Sequence, residues 1–226
     1  MSSRATIDSL EKCVVLITGA NRGIGFELAR TLARDHEFYV LLGSRSVASG
    51  AAAVAQLQSE GLSVAPLTID VSSDELILLA AKLVEQGYGR LDVLVNNASI
   101  MLPDSRDEFV VRKRQAFQDS FNTNVTGTAI VTDAFITLLE KASLPRILFL
   151  GSTLGSITDR SDSTHTLNWV NSVSYRCSKA ALSMLAAQYA KRYKEKGSTY
   201  IQGPARLKIL GKTCSTAHSS QAPCNR

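Results

Sequence analysis

Residues 174–182 read SYRCSKAAL and place a tyrosine and a lysine four apart, Tyr175 and Lys179. On a helix this spacing puts both side chains on one face, with about 5–6 Å between Cβ atoms. A free tyrosine titrates at about pH 10, too high for easy proton exchange near neutrality. A lysine cation alongside favours the phenolate. Such a tyrosine can give up or take back a proton, as a general acid or a general base. Ordinary helices also contain this pair by chance, so its meaning depends on the rest of the chain.

A second chemical signal is the turn TGANRGIG, Thr18 to Gly25. It lies between an apolar run and a helical pattern. Gly19 lets the chain leave a strand sharply. Gly23 and Gly25 let backbone approach a phosphate and let the helix pack on a sheet. The helix N-terminus then offers free N–H groups and partial positive charge to a pyrophosphate. The spacing G-x-x-x-G-x-G differs from the commoner dinucleotide pattern, and the turn alone is weak evidence. No Gly-Lys-Ser/Thr follows, which argues against a nucleotide-hydrolysing loop.

Cofactor choice is read at the end of the second strand. An NAD site places an acid there for the ribose 2′-hydroxyl, whereas an NADP site accommodates the 2′-phosphate with arginine. The chain reads LLGSRS, with Arg45 just past the strand and no Asp or Glu in the turn. Arg22 lies inside the glycine-rich turn itself. Guanidinium groups grip phosphate through paired hydrogen bonds. Either arginine alone reads as an ordinary solvent-facing side chain. Two at the two correct turns, with the acid missing, favour NADP.

The elements that must position these residues alternate. Strands are expected at 13–18, 38–43, 62–70, 91–98 and 146–152, and a sixth at 198–202. Helices are expected at 23–34, 46–61 and 73–86, over a long span of about 107–140, and around Tyr175. Ile24, Leu28 and Leu32 form an apolar stripe on the first helix. Ser72 or Ser73 caps the third. Residues 157–171 read as a polar loop. Alternating strands and helices predict an α/β fold, a single doubly wound parallel sheet of Rossmann type with helices on both faces. Ligands bind such sheets beyond the carboxyl ends of the strands.

The chain has 226 residues, 45% hydrophobic and 20% charged, with a net charge of +5. That profile fits a globular core. The modest, scattered basic excess argues against nucleic acid and suits an anionic ligand. No apolar run approaches the length of a membrane helix. The N-terminal MSSRATIDSLEK lacks the apolar segment of a secretory signal, which favours the cytoplasm. Cys13, Cys177, Cys214 and Cys224 show no metal-ligand spacing and read as reduced thiols. His36, His165 and His218 form no cluster, so no metal is expected.

TGANRGIG, the NNA at 96–98, Asn124 in FNTNVTG, Ser152 in GSTLG and the YRCSK at 175–179 occur in this order. Together they resemble the motif series of the short-chain dehydrogenase/reductase family, over residues 12–197. The resemblance implies that Tyr175 is the proton donor and that Lys179 also holds the nicotinamide ribose. It implies that Ser152 hydrogen-bonds the substrate oxygen and that Asn124 fixes a water linking Lys179 to solvent. The neighbours Thr153 and Ser156, and Asn122, are the alternatives for these last two. Gly19, Asn21, Arg22, Gly23, Ile24, Gly25, Arg45, Asp70 and Asn97, with Tyr175 and Lys179, are the expected cofactor-binding set.

Two departures stand out. Ser99 follows NNA where the family often has glycine. The interval from Ser152 to Tyr175 is 23 residues, against about a dozen in many members, and it contains Leu167 and Trp169. This resembles the carbonyl-reductase-like branch. The longer segment is expected to lie over the site, shape substrate choice and obstruct helix pairing, leaving a monomer or a small homo-oligomer. The expected activity is NADP(H)-dependent reduction of a ketone or aldehyde, or oxidation of the matching alcohol.

The tail departs more. Gly197 is placed to end the tyrosine helix, and GPAR stands where the family has a Pro-Gly turn. Gly211–Arg226 is rich in small polar residues with little to bury. Residues 1–203 are therefore expected to form the nucleotide-binding domain, and 204–226 an atypical, poorly ordered tail. The alternative function is a nucleotide-binding pseudoenzyme or truncated product with little turnover.

Overall fold

The computed structural model describes residues 12–102, 110–193 and 199–203. Its strands are β1 (Val14–Ile17), β2 (Tyr39–Ser44), β3 (Val64–Thr68), β4 (Val93–Asn96), β5 (Arg146–Leu150) and β6 (Thr199–Gly203). All pair in parallel in the order β3-β2-β1-β4-β5-β6. The order reverses direction at β1, between β2 and β4, which opens a crevice at the carboxyl ends of those strands. This is the expected doubly wound α/β sheet.

Alternate residues of each central strand point to opposite faces. Val14 and Leu16 join Leu94, Ile147, Phe149, Val131 and Phe135 on one side. Val15 and Ile17 join Val95, Leu148, Phe26, Leu32 and Leu57 on the other. Both faces are thus covered, so the strands read as continuous apolar runs rather than alternating ones. Pro66 interrupts β3 without harm because β3 is an edge strand, where a missing N–H breaks no ladder.

The connecting helices are α1 (Gly23–Asp35), α2 (Val47–Ser59), α3 (Asp74–Tyr88), α4 (Val110–Phe121), α5 (Gly127–Leu139), α6 (Ile157–Ser161) and α7 (Val173–Tyr193). Ser73 caps α3, its hydroxyl accepting from the Leu76 N–H at 3.3 Å. Three expectations are corrected. The apolar stripe of α1 does not include Ile24, which is 59% exposed, because the first turn of α1 overhangs a cleft while Phe26, Ala29 and Leu32 face the sheet. The helix expected across 107–140 is broken by a π turn at Asn122–Thr126. The loop expected at 157–171 begins with α6, capped by Ser156 accepting from the Asp159 N–H at 3.1 Å. Among the described residues no helix is long and apolar enough to cross a membrane. Residues 204–226, where the tail was expected to depart, and Gly197 lie outside the described residues.

Candidate active site

The glycine-rich turn after β1 is built by bonds from β4. The Thr18 hydroxyl accepts from the Asn97 and Ala98 N–H groups at 3.1 and 3.0 Å. The Asn97 amide donates back to the carbonyls of Thr18 and Gly19 at 2.7 and 3.0 Å. Gly19 has φ +63°, and a Cβ there would lie 2.9 Å from the Ala98 Cα. Only glycine fits both the left-handed backbone and the close approach. Asn97 therefore braces the turn as well as lining the cleft.

That cleft is a cavity of about 620 Å³ at the strand-order reversal. Every residue expected at the cofactor other than Tyr175 and Lys179 lines it: Gly19, Asn21, Arg22, Gly23, Ile24, Gly25, Arg45, Asp70 and Asn97. The first turn of α1 carries no acidic residue, so its N–H groups and dipole face the cavity unopposed. Sequence reasoning missed Ser44, Ser46, Ser49, Ser72, Ser99 and Thr123, which also line it. Ser46 was legible as a cap: its hydroxyl accepts from the Ser49 N–H at 3.2 Å, placing it just before α2 rather than inside it. Asp70 is the acid in the lining, and its Oδ1 accepts from both the N–H and the hydroxyl of Ser72, at 2.9 and 2.6 Å. These residues fit a dinucleotide: backbone donors for a pyrophosphate at one turn, arginine and serine donors at the next.

Tyr175, Lys179 and Ser152 stand outside that lining, at the carboxyl end of β5. The Lys179 Nζ lies 5.7 Å from the Tyr175 ring centroid, so the helix brings the pair together. Lys179 is 3% exposed and donates to the carbonyl of Leu150, the last residue of β5, at 2.8 Å. Burial disfavours its cation and pulls its pKa down to about 8. Ser152 caps the 3₁₀ turn Thr153–Gly155, accepting from the Leu154 N–H at 3.2 Å.

Asn124 links the two groups. It sits in the π turn, fully buried. Its Oδ1 accepts from the Ile100 N–H at 2.8 Å and the Ser99 hydroxyl at 3.1 Å, both from the cavity wall. Its Nδ2 donates to the Ile100 carbonyl and to the Ser178 hydroxyl, each at 2.9 Å. Ser178, one residue before Lys179, in turn donates to the Tyr175 carbonyl at 2.8 Å. A π turn is uncommon and recurs at functional sites. Ser178 and Ser99 were not singled out as partners of Asn124, because nothing in a helical or loop pattern announces a bond to a residue so far away.

A family model described as short chain dehydrogenase matches residues 13–202. The chain is a short-chain dehydrogenase/reductase. This short-chain dehydrogenase/reductase is 38% identical over 204 residues to the protein eupG of a Phoma species, a match covering 82% of this chain and 73% of that protein. It is 38% identical over 143 residues to carbonyl reductase (NADPH) 1 of Sus scrofa, covering 63% of this chain and 47% of that one. Among solved structures, an NADPH-bound carbonyl reductase from chicken fatty liver superposes with a TM-score of 0.71 at 28% identity, covering 84% of this chain and 77% of that one. The resemblance read from the sequence is therefore borne out at the level of the family. Among the described residues no group of three or more His, Cys, Asp and Glu side chains is gathered as a metal ion would need.

Proposed function

We propose that the chain is an NADP(H)-dependent oxidoreductase that reduces a ketone or aldehyde, or oxidises the matching alcohol. The observation that carries the reading is the Tyr175–Lys179 pair, on a helix that Asn124 joins to the wall of a dinucleotide cavity. NADPH, when bound, supplies the hydride. The chain's own residues do the rest. Tyr175 gives its hydroxyl proton to the carbonyl oxygen. Lys179 places positive charge beside the ring, favouring the phenolate left behind. Ser152 donates to the same substrate oxygen and steadies its developing charge. Asn124 orders the path by which Lys179 exchanges protons with solvent. Gly19, Asn21, Gly23, Ile24, Gly25, Asp70 and Asn97 hold the cofactor.

The preference for NADP rests on the turn after β2. Arg45 stands there beside Ser46 and Ser49 at the start of α2, and Arg22 enters the same cavity. Among the described residues neither arginine is tied to a carboxylate. The likeness to NADPH-dependent carbonyl reductases supports both halves of the reading. The test is cofactor oxidation by the wild-type chain against small ketones and aldehydes, with NADPH and NADH compared. Turnover with NADPH in clear preference is expected. Equal use of NADH would overturn the cofactor assignment, and binding of NADPH without turnover of any carbonyl would overturn the reductase.

A further inference from the structure

Helix α3 buries one face and leaves the other bare. Ile77, Ala80 and Val84 are fully buried in the core, and the helix packs on α5 and β3. On the opposite face Leu78, Leu79 and Leu83 are 62%, 51% and 46% exposed. Among the described residues no other helix exposes more than two large apolar side chains. Residues four apart adjoin on a helix surface, so Leu79 touches the patch of Leu83, with Leu78 at the other border of the face. Single exposed apolar residues are ordinary, but a cluster of them marks a contact surface.

Two charges bracket the leucines on the same face. Glu75 and Lys82 are both exposed. They stand two turns apart, about 11 Å along the axis, beyond the reach of pairs within one helix. The carboxylate that Lys82 could reach, Glu85, is held by Lys141 at 2.9 Å. Neither Glu75 nor Lys82 is ion-paired to a described residue. A carboxylate before an apolar cluster and an ammonium after it complement themselves when a second such helix lies antiparallel. A two-fold axis between Leu78 and Leu79 sets Glu75 of each copy opposite Lys82 of the other and brings the leucines together. A parallel pairing in register would set like charges against each other.

We propose that the exposed face of α3 is an interface for a second copy of this chain, joined as an antiparallel helix pair across a two-fold axis. The same patch serves on both copies. The leucines supply the contact, and the two symmetric ion pairs set its direction. The face is small, so the dimer is weak and depends on concentration. It does not depend on the oxidoreductase reading.

Sedimentation velocity of the full chain over roughly 1–200 µM, where contacts of this size associate, is expected to show the mass rising from one chain toward two. Leu79→Glu is expected to hold the chain monomeric throughout. Glu75→Lys and Lys82→Glu each place like charges across the axis twice, and each is expected to weaken association about tenfold. The double exchange, Glu75→Lys with Lys82→Glu, restores both pairs and should return association to within about threefold of wild type. All three side chains face solvent, and the urea midpoint of each variant separates loss of contact from loss of fold. A wild-type chain that stays monomeric at the upper concentration would overturn the proposal and leave the face to a different partner. A dimer that survives Leu79→Glu overturns it by placing the contact elsewhere. A double exchange that associates no better than either single change overturns the antiparallel register, and the proposal with it.

Discussion

Asn124 and Ser178 meet side chain to side chain at 2.9 Å, each fully buried. This bond fastens the π turn to the helix that carries Tyr175 and Lys179, at the position next to the lysine. Removing the hydroxyl leaves a buried amide N–H without its partner, which costs roughly 1–3 kcal/mol. Ser178→Ala is therefore expected to unfold at a lower urea concentration than wild type, with an unfolding free energy smaller by that amount. An unchanged midpoint would show that Asn124 finds another acceptor.

Tyr175→Phe keeps the ring and its contact with Lys179 but removes the proton. Turnover should fall roughly 10²–10⁴-fold, while NADPH affinity holds. Single-turnover kinetics with fluorescence titration of NADPH separate the two effects. Retention of most activity would return the pair to an ordinary stretch of helix.

Arg45→Asp puts a carboxylate where a 2′-phosphate is expected and removes a guanidinium donor. Loss of a charged hydrogen bond corresponds to roughly a 10–100-fold weaker NADPH complex. NADH binding should hold or improve. Calorimetric titration of both cofactors reads the inversion directly, and unchanged NADPH binding would assign the phosphate to another residue.

Lys179 gives a stability signature in the cofactor-free chain. Its pKa falls from 10.5 when unfolded to about 8 in the fold. The unfolded chain therefore binds more protons between those values, so stability rises with pH across that window. The burial penalty, roughly 3 kcal/mol for a shift of this size, is present in full below the folded value and gone above the unfolded one. Lys179→Met should lack this rise. Urea unfolding of both proteins at the two ends of the window, taken as a difference, removes the contribution of the buried tyrosines.

The sequence made the scaffold legible because its signals are local and periodic. Apolar runs such as CVVLIT and the helical spacing around Leu28 and Leu32 report burial directly, and the turn Thr18–Gly25 reports a strand-to-helix corner. Strand ends were overextended, as at 62–70 against Val64–Thr68, because apolar residues such as Leu62 and Ile69 flank the strand on both sides. What stayed hidden depends on bonds to backbone or on distant partners. A π turn at Asn124 follows from packing rather than from any residue pattern. Arg176 reads as one more charge on a helix until its bonds to the carbonyls of Val170, Leu167 and Leu154 are seen. Ile24 fits an apolar stripe by spacing, yet overhangs the cavity because the helix begins there.

The strand order also governs how the chain can come together during synthesis. β1 lies between β2 and β4, and all four of its residues are buried. Its partner Val93 to Val95 is encoded nearly eighty residues after Val15 to Ile17. A chain emerging from its N-terminus therefore exposes one flank of its most apolar strand until β4 has followed it out. The first three strands can pair early, but the cofactor crevice cannot exist before Asn97 arrives to brace the glycine turn. Closing so long a loop is slow. In the interval the VVLI edge is the segment with the most to gain from a chaperone and the most to lose from a neighbouring nascent chain.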